Sequence, residues 1–167
     1  MSDAVVPSGV ASPSTGRVNP YLMPDAVIEA QTPAVVGLAR DLRQFSADDD
    51  EFVRRAHDWV SEVIAWPVDV GERRVPITAM EVLFTGIGCT FGRSHLLAAV
   101  LRAGGVPAAL CYTRRPADLA VQAEVAAYLD HAWRRVRSHD CTPRDAPPKL
   151  FASPPPKLIS ALHTGPT

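Results

Sequence analysis

The sequence predicts a single α+β domain, helices first and a small antiparallel sheet after them. Three observations carry that expectation. Apolar residues recur at helical spacing through the first hundred residues, the pattern changes to strand-like alternation after Val106, and 167 residues suffice for one ordinary domain with a real core. A run of helices followed by a run of strands places the helices on one face of the sheet.

Each element has a local reason. Residues 1–17 are small, polar and rich in Pro and Gly, the composition of a disordered leader, so the folded part is expected over 18–162 with 163–167 as a tail. Thr32-Pro33 reads as a cap and a first-turn proline, opening a helix with Val35, Val36, Leu38, Ala39 and Leu42 on one side. Ser46 to Asp50 gives a second helix an acidic start, followed by Phe52, Val53, Ala56, Trp59, Val60, Val63 and Ile64. Thr78 and Glu81 have capping-box spacing at the head of a third helix. A fourth, apolar all round, ends at Gly104-Gly105, and Thr90 suits its N-cap. Strands are expected over Pro107–Thr113, Glu124–Leu129 and Ala132–Arg137. Past Asp140 the prolines argue against further sheet, since proline donates no ladder hydrogen bond, and a last short helix fits Pro156–Leu162.

Composition excludes several classes. Seventeen basic residues against eighteen acidic leave no field to recruit nucleic acid or an anionic membrane. No apolar run is long enough to span a bilayer, and a signal-peptide pattern is lacking, so a cytoplasmic protein is expected. Cys89, Cys111 and Cys141 show no C-x-x-C spacing, so neither disulfides, a metal nor a cofactor is expected. Fifteen Arg against two Lys, with abundant Ala, Val and Pro, suggest a GC-rich genome such as an actinobacterium's. Unpaired sheet edges make a homodimer an option.

The run from Gly86 to Pro107, GIGCTFGRSHLLAAVLRAGGVP, resembles the nucleophile segment of the transglutaminase-like superfamily. There a glycine turn delivers a catalytic cysteine to a buried helix reading S-H-L-L-A-A-L-L-R, followed by a G-I-P turn. The start VNPYL, the approach PITAMEVLFTGIG and the closing PKLISAL are similar to the same family, so the resemblance spans about Val18 to Leu162, with a shortened C-terminal part. It implies a transglutaminase-like fold and a Cys-His-Asp centre, in which a thiolate attacks an acyl carbon, an imidazole moves the proton and a carboxylate fixes the imidazole.

Without gaps, however, the resemblance puts Thr90 at the cysteine position, with Cys89 one residue early. Matching AVQAEVAAYL to the family's histidine strand puts Gln122 at the histidine. Matching Trp133–Val136 to the next strand puts Arg137 at the aspartate. Neither Gln nor Arg is a base near neutral pH. A second register uses His131-Ala132-Trp133 as the family's H-A-W and gives Cys89, His131 and Asp140 or Asp145. Three readings follow: a working cysteine acyltransferase or peptidase in the second register, a binding or scaffolding pseudoenzyme, and a repurposed enzyme. The last is favoured. It would bind a small anionic or acyl substrate in the old cleft and catalyse a thiol-independent cyclisation, dehydration or isomerisation, for instance in bacterial secondary metabolism. His95 reads as a core histidine with a satisfied hydrogen bond and Cys111 as strand core. Arg114, Arg115, Arg134, Arg135 and Arg137 read as a solvated basic face or as a rim receiving an anion.

Overall fold

The computed structural model describes residues 18–136 and 149–164. Four helices precede the sheet: α1 (Pro33–Gln44), α2 (Asp49–Val63), α3 (Ala79–Thr85) and α4 (Thr90–Ala103). Then come β1 (Ala108–Arg114), β2 (Val121–Leu129), β3 (Ala132–Val136), β4 (Leu150–Phe151) and α5 (Pro156–Thr164). Short 3-10 turns lie at Asn19–Leu22 and Pro67–Val70. The sheet is antiparallel in the order β3-β2-β1-β4, so the expected α+β arrangement is the observed one.

The axis of the fold is α4. Gly92 and every residue from Ser94 to Arg102 are buried, because α1, α2 and α3 pack on one side and β1 and β2 on the other. A helix apolar all round is stable only in such a position. Leu96, Leu97, Val100 and Leu101 meet Ile28, Val35, Phe52, Val53 and Val82 from the helices, and Leu110, Val125 and Ala127 from the sheet. The first turn of α4 lies so close to the chain before α3 that a Cβ on Gly92 would stand 2.6 Å from the Pro76 carbonyl oxygen and 2.7 Å from a Val82 methyl.

The local chemistry of the helix starts is largely as expected. The Asp48 carboxylate caps α2 by accepting from the Glu51 amide at 2.8 Å, with Asp49, Asp50 and Glu51 in the first turn. Thr78 and Glu81 form the full capping box of α3. Two expectations are corrected. The N-cap of α4 is Cys89, with Thr90 its first helical residue, because Gly88 is held back by its amide bond to the Ala65 carbonyl at 3.0 Å. The proline-rich segment does contribute sheet, since Leu150 and Phe151, the pair free of proline, bond to Cys111 and Leu110 at the edge. In addition β2 starts three residues earlier than expected, and α5 runs two residues further. The leader 1–17, Arg137, Asp140, Cys141, Asp145 and residues 165–167 lie outside the described residues. No helix among those described is long and apolar enough to cross a membrane.

Two glycines test this packing in opposite directions. Gly92→Ala should lower stability by about 1–3 kcal/mol, the usual cost of overpacking against groups that cannot move aside. Gly37→Ala, where a Cβ meets nothing within 4 Å inside α1, should raise it by about 0.5–1 kcal/mol through helix propensity. Chemical denaturation of both variants checks the pair, and a neutral Gly92→Ala contradicts the packing described.

Candidate functional site

The site is a corner where the end of α2, the loop after it and the start of α4 meet. Gly86, at φ +68°, ends α3 in the left-handed conformation that a side chain resists. The chain after it pairs with Ala65: the Ala65 amide donates to the Gly86 carbonyl at 2.8 Å and the Gly88 amide to the Ala65 carbonyl. Arg93, one turn into α4, then reaches back. Its guanidinium donates to the carbonyls of Ile64 at 2.7 Å and Ser61 at 3.1 Å, at the C-terminal end of α2, and stacks over the Trp66 ring at 4.3 Å. A cation at a helix C-terminus is electrostatically favoured, so Arg93 serves the dipole of α2 while opposing its own.

Against this corner lies a cavity of about 220 Å³. Thr90, Arg93, Ser94 and Leu97 of α4 form one wall, His57, Val60 and Ser61 of α2 with Trp66 another, and Ala123–Val125 of β2 with Val136 of β3 the third. Ser94 is buried, its hydroxyl donating to the Ala123 carbonyl at 3.0 Å, which fixes the helix to the strand. His57 Nδ1 lies 3.3 Å from Asp58 Oδ1. Among the described residues no side chain caps the start of α4, so its first-turn amides and the positive end of its dipole are open to solvent or an anion there.

Thr90 lines this cavity, whereas Cys89, half-buried at the N-cap, is not in the lining. Gln122 sits on β2 opposite Thr113 and is likewise outside it. Ala123, Val125 and Leu129 face the α4 side, so strand alternation turns Gln122 to the other face. Arg137, the third position of that register, lies outside the described residues, as do Asp140 and Asp145. His131 is exposed at the tip of the β2–β3 hairpin, with φ +63°. Ser94 contacts Ala123 near the start of β2, and His131 follows its far end, so at about 3.3 Å rise per strand residue the two ends are roughly 20 Å apart. Cys89 and His131 are not brought together. The arginines of the basic face are mostly matched with acids: Arg115 with Asp118, Arg134 with Asp50 and Asp130, Arg135 with Glu124.

The remaining cysteine and histidine of α4 and β1 are structural. Burial pushes the Cys111 thiol up to about 12, which leaves it without thiolate character. His95 is completely buried. Its Nδ1 lies 2.7 Å from the Ile77 carbonyl, and since a carbonyl only accepts, Nδ1 carries the proton. Nε2 is then an acceptor, buried with no hydrogen-bond partner among the described residues, so the core-histidine expectation is met at one nitrogen and not at the other there. Burial lowers the pKa of this imidazole; the Ile77 bond and the charge of Asp25 oppose the shift without cancelling it.

The arrangement of a buried helix whose N-terminus opens on a cleft, packed on an antiparallel sheet, defines a papain-like or transglutaminase-like class of fold. The sequence matches the model of the transglutaminase-like superfamily over residues 36–142. The chain belongs to that superfamily. Among solved structures, it is similar to a candidate cysteine protease from Cytophaga hutchinsonii (TM-score 0.63, 18% identity, covering 81% of this chain and 46% of that one). It is also similar to a candidate protease from Parabacteroides distasonis (TM-score 0.53, 17% identity, covering 82% of this chain and 31% of that one). The chain thus spans about half the length of the first and about a third of the second. A comparison with curated proteins finds no match.

Sequence reasoning passed over His57 and Arg93 as site residues. One signal was available for Arg93: a cation in the first turn of an apolar helix opposes that helix's dipole and needs a partner elsewhere.

The buried His95 makes stability depend on pH. The unfolded chain takes up a proton near the ordinary value of 6.5, while the folded one resists it to lower pH. Between the two the unfolded state binds more protons, so stability is fully present above about 6.5 and is lost as pH falls toward the folded value. In His95→Asn the amide can still donate to the Ile77 carbonyl. Between about pH 7 and 5 the native protein should lose stability more steeply than this variant, by up to ~1.4 kcal/mol per pH unit, the equivalent of one proton. Parallel slopes in urea titrations contradict the assignment.

Proposed function

We propose that this transglutaminase-like domain binds a small organic molecule bearing a carboxylate or acyl oxygen in the cavity at the start of α4 and acts on it without a thiol nucleophile. The observation that carries the reading is the cavity itself: an uncapped helix N-terminus and Arg93 border it, and among the described residues no cysteine stands in its lining. The gapless register puts Thr90, which lines the cavity, at the family's cysteine position, and a threonine supplies no thiolate. A carboxylate or a developing oxyanion is the ligand that a helix N-terminus and a guanidinium favour.

Among the described residues, His57 is the one imidazole in the cavity wall. Imidazole is the side chain best suited to take up and return a proton near neutral pH, so proton-transfer chemistry is what the site would support. Cyclisation, dehydration and isomerisation all rest on such transfers. In this reading Thr90 and Ser94 are hydrogen-bonding groups, and Trp66 is the apolar wall.

An acyl-transfer test separates this from a working cysteine enzyme. Incubated with p-nitrophenyl acetate, the protein should show no acyl group on Cys89 by intact and peptide mass spectrometry. Cys89→Ala should leave butyrate binding, followed by thermal shift, within about twofold. Stoichiometric acylation at Cys89, or a loss of roughly a thousandfold or more in a measured turnover, the scale of removing a true nucleophile, overturns the proposal.

A further inference from the structure

Away from the cavity, three side-chain atoms are buried without a hydrogen-bond partner among the described residues: Nε2 of His95, the hydroxyl oxygen of Tyr112 and Oδ2 of Asp25. Buried polar atoms left unmatched are costly, so each one calls for an explanation.

The fold brings the three groups to one side of α4. The rings of Phe91 and Tyr112 stack with centroids 6.3 Å apart, and His95, four residues after Phe91, shares its face of the helix. Arg102 lies two turns beyond His95 and holds the Met23 carbonyl at 2.6 Å. Further along the N-terminal segment, the Val27 carbonyl accepts from the Ala79 amide at 2.9 Å, two residues past the Ile77 carbonyl that fixes His95 Nδ1. Asp25 sits between these two anchors. Its Oδ1 accepts from the Val27 and Ile28 amides, both at 2.7 Å, which leaves Oδ2 as its free acceptor. Burial is the main influence on the other two groups, lowering the imidazole's pKa and raising the phenol's, and the charge of Asp25 pushes both upward. A charge felt at both stands near both.

The chemistry of the set is complementary through a third party. With its proton on Nδ1, His95 offers Nε2 as an acceptor, Asp25 Oδ2 is an acceptor, and the Tyr112 hydroxyl is a donor. Water has two protons to give and a lone pair to receive one, and a buried water typically makes about three bonds to groups otherwise unmatched.

We propose that these three atoms share one ordered water molecule, which donates to His95 Nε2 and Asp25 Oδ2 and accepts from the Tyr112 hydroxyl. The site ties the N-terminal segment, α4 and β1 together at mid-helix, as Arg102 does at the helix end. It also gives Tyr112 a reason to carry a hydroxyl within an aromatic group completed by Phe91 and Phe151.

Tyr112→Phe tests this by the sign of its effect, because it keeps the ring contacts and deletes only the oxygen. Removing an unmatched hydroxyl stabilises a protein, whereas removing one bound to water costs a hydrogen bond. In urea titrations the variant's unfolding constant should rise about threefold to tenfold, the size of one net hydrogen bond. In a His95→Asn background, where the water has already lost a partner, the same change should raise it by no more than about twofold. A high-resolution crystal structure of the native protein should show a density peak within about 2.7–3.2 Å of all three atoms. A neutral or stabilising Tyr112→Phe, an equal cost in both backgrounds, or no peak at that place overturns the proposal.

Discussion

The structure depends on enclosing α4 completely, and the hardest part of that enclosure is Arg102. A guanidinium in the interior costs several kcal/mol unless its donors are matched. Here Nε and Nη2 donate to the Ala108 carbonyl at 3.0 and 2.8 Å, Nη2 also to Ala152 at 2.6 Å, and Nη1 to Met23 at 2.6 Å. Burial lowers its pKa to about 10, partly offset by the charge of Asp25, so it stays a cation at neutral pH. Three segments far apart in sequence are thereby fastened to one helix end: the N-terminal turn, the start of β1, and the residue after β4. The edge strand Leu150–Phe151 exists because the chain following it is held there. A positive charge in the last turn of α4 also opposes the dipole's negative end, the favourable counterpart of Arg93 at the end of α2.

The other end of α4 borders the proposed site, and the same packing positions it. Gly92 against Pro76, Gly88 against Ala65 and Ser94 against Ala123 allow the first turn one position. Its amides then face a wall contributed by α2 and β2. The family fold is kept to this degree. A cysteine at the N-cap with its imidazole candidate at the far tip of a hairpin is not a thiolate–imidazole pair, because proton transfer needs contact or one intervening water.

Legibility followed the range of the forces involved. The capping box at Thr78 and Glu81, the acidic start of α2 and the glycine stop after Ala103 are decided within four or five residues, and the sequence displays them. The α+β order was legible because periodicity reports burial. Thr90 was the better N-cap by side-chain chemistry, yet Cys89 holds that place, since the bond from Gly88 to Ala65 is a tertiary constraint that no window of sequence contains. The β4 pairing was hidden for the same reason. At the site, the resemblance led to Thr90, which lines the cavity. His57 and Trp66 came from α2 and its following loop, far before Thr90 in sequence, and only the packing of α2 on α4 shows that they share its cavity.

The start of α4 is proposed as an oxygen-anion site free of thiol chemistry. Amide chemical shifts of ¹⁵N-labelled protein during titration with butyrate test it most directly. The largest and saturable shifts should fall on Thr90, Phe91 and Gly92, with the Arg93 side-chain resonances moving in step and identical behaviour in Cys89→Ala. Unmoved amides at the start of α4 while saturable shifts appear elsewhere, or shifts there that vanish in Cys89→Ala, would contradict it.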